Sequence, residues 1–307
     1  MKMIKRKREF NIHRIAAPTN VILNVIFTFV VLSCVLPLLL VIIVSITDET
    51  TLLQNGYTFF PKKLGFTSYE YIFRRGKAII NAYGISILVS LVGTVCSTLV
   101  MALYAYPLSR PNFKFRNGFT MLVFITMLFS GGLVPWYIIY TQMLKIGDTL
   151  PVLIMPYLMN AWYVLIMRTF YRSAVPEELL ESARMDGAGE FRIFFRIAFP
   201  LSTAGLATVG LFSMVTYWND WYLPLIFIRS QSLYSIQYLL KKMLDDVQFF
   251  AQMSNTVAGA AGISAKELPS ETIRMAVAIV AVGPIVLAYP FFQRYFVKGL
   301  TVGAIKG

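Results

Sequence analysis

Glu181-Ser182-Ala183-Arg184-Met185-Asp186-Gly187-Ala188-Gly189-Glu190-Phe191-Arg192-Ile193-Phe194-Phe195-Arg196-Ile197-Ala198-Phe199-Pro200-Leu201 is a charged, glycine-broken insert between two strongly apolar runs. Its surroundings decide how it must be read. The 307 residues are 57% hydrophobic and only 14% charged, and the mean hydropathy of +0.65 exceeds what a soluble domain buries. The chain reads as an integral membrane protein, in which such an insert is a place where a partner docks.

About 20 apolar residues cross a bilayer core as a helix. Six runs of that kind lie near 21–46, 80–106, 118–142, 150–171, 201–228 and 272–293. The expected fold is therefore an all-α membrane protein with six transmembrane helices and both termini on the cytoplasmic side. That orientation places the basic tail (Lys2, Lys5, Arg6, Lys7, Arg8, Arg14) inside, with Arg110, Lys114, Arg116, Arg168, Arg172, Arg184, Arg192, Arg196, Arg294, Lys298 and Lys306. The cytoplasmic side is then the richer in basic residues. Lys62, Lys63, Arg74, Arg75 and Lys77 in the first outer loop, and Lys241 and Lys242 in the third, run against the bias.

The expected organisation is a basic cytoplasmic tail over 1–20 and one transmembrane domain over 21–307, with inner loop 172–200 and long outer loop 229–271. The first run is longer than a signal-peptide core, and Thr47-Asp48-Glu49 is no small-residue cleavage site, so it reads as a retained helix. A net charge of +13 is spread between the apolar runs rather than gathered in a stripe, which argues against nucleic acid. Cys34 and Cys96 sit in apolar runs and His13 lies in the tail. No metal site or catalytic constellation is expected from them.

In the inner insert, Pro176 suits a helix start and Glu177 and Glu178 complement the positive end of its dipole. Leu179 and Ala183 share a face at i, i+4, Glu181 and Arg184 are spaced to pair, and Gly187 is placed to stop the helix. A second helix gathers Phe191, Phe194, Phe195 and Ala198 along one side, with Arg192 and Arg196 beside them, before Pro200. The result is a helix–turn–helix bracket lying against the inner membrane surface.

This pattern resembles the cytoplasmic coupling loop of type I ABC importer permeases: Glu-Ala-Ala, two variable residues, Asp-Gly-Ala, then Ile, two residues, Pro. The matching residues are Glu181, Ser182, Ala183, Asp186, Gly187, Ala188, Ile197 and Pro200, with Ser182 in place of the usual alanine. Tyr217-Trp218-Asn219-Asp220-Trp221-Tyr222-Leu223-Pro224-Leu225 and the segment Tyr289 to Leu300 look like the carbohydrate branch of that family, the complex-saccharide or oligosaccharide importers. The ending Gly303-Ala304-Ile305-Lys306-Gly307 looks like the close of such permeases and suggests an intact carboxyl terminus.

The resemblance implies a permease subunit in the plasma (inner) membrane that imports a saccharide by alternating access. Its partners would be a second homologous permease, two ATP-hydrolysing subunits and an extracytoplasmic solute-binding protein. ATP-Mg would bind in the ATPase partners, and no cofactor in this chain. The absence of a Gly-x-x-x-x-Gly-Lys-Ser/Thr loop agrees. Glu181 to Gly187 would seat in a groove of the ATPase, Asp186 helping to hold the turn.

Tyr217, Trp218, Asn219, Asp220 and Trp221 are the candidate substrate path. An Asp at mid-bilayer costs about 2.5–3.5 kcal/mol, so Asp220 should face a cavity, a partner or the interface. Asn219 donates and accepts hydrogen bonds, and the two tryptophans offer faces for sugar rings. The alternative is an outer aromatic belt with Asp220 capping the span. Gly131-Gly132 and Pro135 suggest a bend or a close helix contact. Ile236, Leu239, Leu240, Met243, Leu244, Val247 and Phe250 make an amphipathic outer helix, either a lid on its own spans or a ledge for a partner, and Ala258 to Gly262 read as a flexible connection. An intramembrane protease would need facing aspartates or a membrane histidine, which the chain lacks. A secondary, ion-coupled carrier leaves the bracket unexplained.

Overall fold

The computed structural model describes residues 17–74, 76–261, 271–284, 286 and 290. In chain order the helices are α1 (Ala17–Ser45), α2 (Glu49–Asn55), α3 (Thr67–Phe73), α4 (Gly76–Ser109), α5 (Arg116–Leu128), α6 (Leu133–Ile138), α7 (Ala161–Ala174), α8 (Glu177–Met185), α9 (Glu190–Ile193), α10 (Phe199–Leu201), α11 (Thr203–Trp218), α12 (Tyr222–Phe227), α13 (Ile236–Ala261) and α14 over 271–284. Among the described residues no strand forms, only an isolated bridge between Thr47 and Leu64. The all-helical expectation holds. The basic tail up to 16 and the terminal segment beyond Pro290 lie outside the described residues.

Two helices are long and apolar enough to cross a membrane unbroken, Pro18–Ser45 and Gly76–Ser109. The first, at a mean hydropathy of 3.0, has none of its most apolar window buried. A helix apolar all round with no core of its own to enter requires lipid or another chain around it.

The next three apolar runs are not straight. Arg116–Leu128 meets Leu133–Met143 at 114°, through Gly132 at φ +82°, while a Cβ on Gly131 or Gly132 would meet nothing within 4 Å. Those glycines therefore serve a bend, not a close contact. Leu150–Tyr157, a 3-10 segment holding Pro151 and Pro156, joins Ala161–Ala174 at 56°. The Asn160 side chain caps α7 by accepting from the amides of Trp162 (2.9 Å) and Tyr163 (3.3 Å). Glu190–Leu201 meets Thr203–Trp218 at 82°, which lays the second helix of the charged insert across the end of α11.

Small residues at the helix contact bring α4 and α11 together. Ala82, Ser86, Ser90, Gly93, Ser97, Ala102 and Ala105 are buried along α4, and Gly205, Val209, Gly210 and Ser213 are buried along α11, with Gly205 tight against Phe170 of α7. In lipid, close van der Waals packing of such residues replaces the hydrophobic drive available in water. Gly93 is the tightest point: a Cβ there would lie 2.6–2.8 Å from the ring of Tyr217. That ring is held by its hydroxyl, which donates to the Ile154 carbonyl at 2.9 Å. Gly93→Ala is expected to destabilise by about 1–3 kcal/mol, the usual cost of overpacking. A melting temperature in detergent equal to that of the unaltered protein would refute this.

Two cores result. One, built around Tyr106, Tyr171, Leu180, Ile193, Phe194 and Ala198, lies at the end of the bundle that carries α8 and α9. The other gathers Ile72, Val152, Tyr217, Trp218, Phe227, Ile236, Leu240 and Ile273 at the opposite end. The amphipathic helix α13 buries Ile236, Leu239, Leu240, Met243 and Val247 in this second core, so its apolar face is a lid on its own spans. The flexible connection expected from Ala258 is not seen up to Ala261, which the helix includes, as alanine's helix preference allows; Gly262 lies outside the described residues.

Candidate functional site

The bracket forms as its sequence requires. Pro176, at φ −61° and ψ 143°, precedes α8, and Glu177 and Glu178 occupy the first turn. At the other end the Gly187 amide donates to Arg184 O (3.0 Å) and the Ala188 amide to Ala183 O (2.9 Å). This paired closure requires a left-handed residue between them, and Gly187 supplies it at φ +77°. Asp186 contributes through its backbone, its amide donating to Ser182 O at 3.0 Å, while its side chain is exposed. Glu181, Ser182, Asp186 and Gly187 are exposed and Ala183 and Ala188 half-buried, so the turn protrudes from the bundle.

Three details differ from the sequence reading. Leu180, fully buried, anchors α8, whereas Leu179 is exposed: the buried face passes through Leu180 and Ala183. Arg184 does not pair with Glu181; its Nε lies 2.9 Å from Glu190 and its Nη1 3.6 Å from Glu177, because the Gly187 turn folds α9 back alongside. On the second helix the buried side is Ile193, Phe194 and Ala198, leaving Phe191 77% and Phe195 49% exposed. A π-helical turn over Phe194–Ala198 rotates the face that a regular helix would present.

The residue that joins the bracket to the spans is Arg110, which sequence reading counted only as an inner positive charge. Its side chain is almost fully buried. Nη2 donates to Tyr171 O (3.0 Å), Nη1 to Val175 O (3.3 Å) and to Glu177 (3.2 Å), Nε to Ser109 Oγ (2.9 Å), and the guanidinium lies 5.3 Å from the Tyr106 ring centre. The ion pairs Arg110–Glu177, Glu177–Arg184 and Arg184–Glu190 thus connect the end of α4 to both helices of the bracket. Edge-on contacts of Tyr106 with Tyr171 (5.7 Å) and Phe194 (5.4 Å) complete the mounting. No local spacing rule links Arg110 to Glu177, and the only signal was a basic residue three positions after Pro107 at the close of an apolar run.

At the opposite end the five residues of the second candidate set divide. Asp220 Oδ1 accepts from the amides of Tyr222 (3.1 Å) and Leu223 (3.2 Å) and from the Tyr157 hydroxyl (3.1 Å), the geometry of a cap on α12. Trp218 is buried, with Nε1 donating to Ala281 O at 3.1 Å, and Tyr217 is buried against Gly93. Asn219 and Trp221 remain exposed. Beside them lies a cavity of about 110 Å³ lined by Tyr157, Asn160, Tyr163, Ser213, Thr216 and Tyr217, and the buried Ser213 hydroxyl there has no partner. Asn160 and Tyr163 come from one apolar run and Ser213 from the next, so only the fold brings the serine to the other two.

A turn at 145–149 is latched to the start of the long loop. Asp148 accepts from the amides of Arg229 (2.9 Å) and Ser230 (3.0 Å) and from the Ser230 hydroxyl (2.7 Å). The Ser230 amide first, then its hydroxyl and the Arg229 amide, hold the Asp148 carboxyl below the usual carboxylate range. No cluster of potential metal ligands occurs among the described residues.

Comparison with known proteins agrees with this architecture. The family model "Binding-protein-dependent transport system inner membrane component" matches residues 12–302. The chain is 34% identical to the protein LplC of Bacillus subtilis over 273 residues, 89% of this chain and 90% of LplC. It is 34% identical to the polygalacturonan/rhamnogalacturonan transport system permease YtcP of the same organism, covering 90% of this chain and 94% of YtcP. The arabinooligosaccharides transport system permease AraQ of Halalkalibacterium halodurans is 31% identical, over 93% of this chain and 96% of AraQ. A bacterial ABC transporter involved in import of the acidic polysaccharide alginate has a chain of the same fold, with a TM-score of 0.73 and 25% identity over 91% of this chain and 96% of that one. Nothing in these relatives favours an ion-coupled carrier or an enzyme. With a protruding bracket mounted on a bent-helix bundle, and a family match over nearly its whole length, the chain belongs to the inner-membrane components of binding-protein-dependent transport systems, as a permease of the ABC sugar importers.

Proposed function

We propose that the Glu181–Ala188 turn is the knob through which an ATPase drives this permease. The observation that carries the reading is mechanical: the turn protrudes, while both its helices are fixed to the spans by Leu180, Phe194 and the Arg110–Glu177–Arg184–Glu190 chain. Force applied at the turn reaches α4, α7 and α11 without being absorbed by a loose loop. In this reading the chain crosses the membrane six times with both ends in the cytoplasm, residues 1–20 forming the tail and 21–307 the permease domain. It pairs with a second permease, which covers the apolar surface of α1, and works with two ATPase subunits that bind ATP-Mg and with an extracytoplasmic solute-binding protein. The chain itself binds no cofactor.

The saccharide passes the exposed Asn219 and Trp221 and the small cavity at Asn160, Tyr163 and Ser213, where amide and hydroxyl groups match sugar hydroxyls. Tyr217, Trp218 and Asp220 support that path from behind. Asp186→Arg tests the docking, since it reverses the charge on the exposed turn without touching a buried contact. ATPase retained on the purified importer should fall at least about tenfold with the second permease still bound. Full ATPase retention would count against the knob.

A further inference from the structure

The basic residues that run against the orientation bias are gathered by the fold. Arg74, at the corner between α3 and α4, and Lys77, in the first turn of α4, face Gln231, Tyr234 and Lys242 across a cavity of about 740 Å³. Among the described residues its lining holds three cations and no carboxylate. None of the three forms an ion pair among the described residues, although Lys241, next to Lys242, is paired with Asp245 at 2.8 Å. Lys242 instead lies 5.4 Å from the ring centre of Tyr234, itself buried edge-on against Tyr238. Three cations with no ion pair among the described residues repel each other around one cavity, and a concave wall of one sign concentrates anions.

We infer that this cavity is an entry site for an anionic saccharide, one carrying uronate carboxylates. An Arg fork receives a carboxylate by two parallel hydrogen bonds, the lysines supply further point charge, and Gln231 offers an amide to sugar hydroxyls. The volume lies within the range of small-molecule sites, and the concave shape suits an oligosaccharide better than a protein surface. The inference rests on the reading of the chain as a saccharide permease and specifies the charge of its cargo. In the proposed orientation the site lies on the outer face, ahead of the cavity at Asn160 and Ser213.

The test uses the assembled importer in nanodiscs, without ATP or binding protein, and compares digalacturonate with the neutral disaccharide galactobiose by calorimetry. Digalacturonate should bind at least about tenfold more tightly, with an advantage that shrinks as salt screens the cations. Arg74→Gln/Lys77→Gln/Lys242→Gln should remove that advantage without lowering the melting temperature. Equal affinity for the two sugars, or a preference that survives the triple substitution, overturns the inference. So does a triple variant that binds digalacturonate normally but loses affinity for the solute-binding protein, which would make the cavity a protein dock. ATP-driven uptake of any sugar by the unaltered importer keeps the permease reading in place whichever result is found.

Discussion

Replacing Gly187 with proline is expected to lower sugar uptake at least about tenfold in an importer that still assembles. The turn needs φ near +77°, and proline fixes φ near −65° and has no amide to give to Arg184 O. Valine acts through the backbone alone, since a Cβ at this position meets nothing within 4 Å. A left-handed non-glycine residue costs about 1–3 kcal/mol, more for a branched one. The chain relieves that strain by opening the turn, which separates Arg184 from Glu190 and frees α9 from α8. ATP hydrolysis would then no longer be matched by uptake. Proteoliposome transport, scored beside ATPase activity and subunit content, reads the effect, and uptake unchanged in a fully assembled Gly187→Pro complex would sink the idea.

Arg110→Ala should be the most destabilising change at the bracket. It strips hydrogen bonds from Tyr171 O, Val175 O and Ser109 Oγ and leaves Glu177 with Arg184 alone, at 3.6 Å. Removing one partner of a fully buried ion pair costs about 3–5 kcal/mol. Glu177 keeps 26% of its side-chain surface exposed, so a loss of about 2–3 kcal/mol is expected. Arg110→Lys restores the charge but not the fork, and should recover only part of it. A double-mutant cycle with Glu177→Gln separates the ion pair from the carbonyl contacts. Melting of Arg110→Ala at the wild-type temperature would remove this residue from the mounting.

Much of the bracket was legible because its determinants are local. A proline start, two glutamates in the first turn and a glycine stop each act within one helical turn, and Gly187 adopts the left-handed conformation its position demands. The choice of Leu180 over Leu179 was not legible. The two are adjacent, and which one turns inward depends on how α8 meets Met167, Tyr171 and Phe194 in the core. The split of Phe194 and Ala198, which enter the core, from Phe191 and Phe195, which stay on the surface, was illegible for a related reason, since a π-helical turn shifts the helical register and no residue spacing announces it. At the opposite end, tryptophans that looked available to a sugar from composition divide once packing is known: Trp218 donates to Ala281 and Trp221 stays exposed.

Apolar run length and low charge content by themselves established a helical membrane protein, and the spacing from Glu181 to Pro200 established its bracket, because hydrophobic transfer and helix termination are governed by nearest neighbours along the chain. The angles of the bends at 114°, 56° and 82°, the buried link from Arg110 to Glu177 and the cation-lined cavity belong to the tertiary structure. The link and the cavity bring together groups far apart in sequence, Arg110 and Glu177 being 67 positions apart, whereas only the size of each bend was beyond local spacing. Such contacts exist only after the small-residue faces of α4 and α11 have closed on each other.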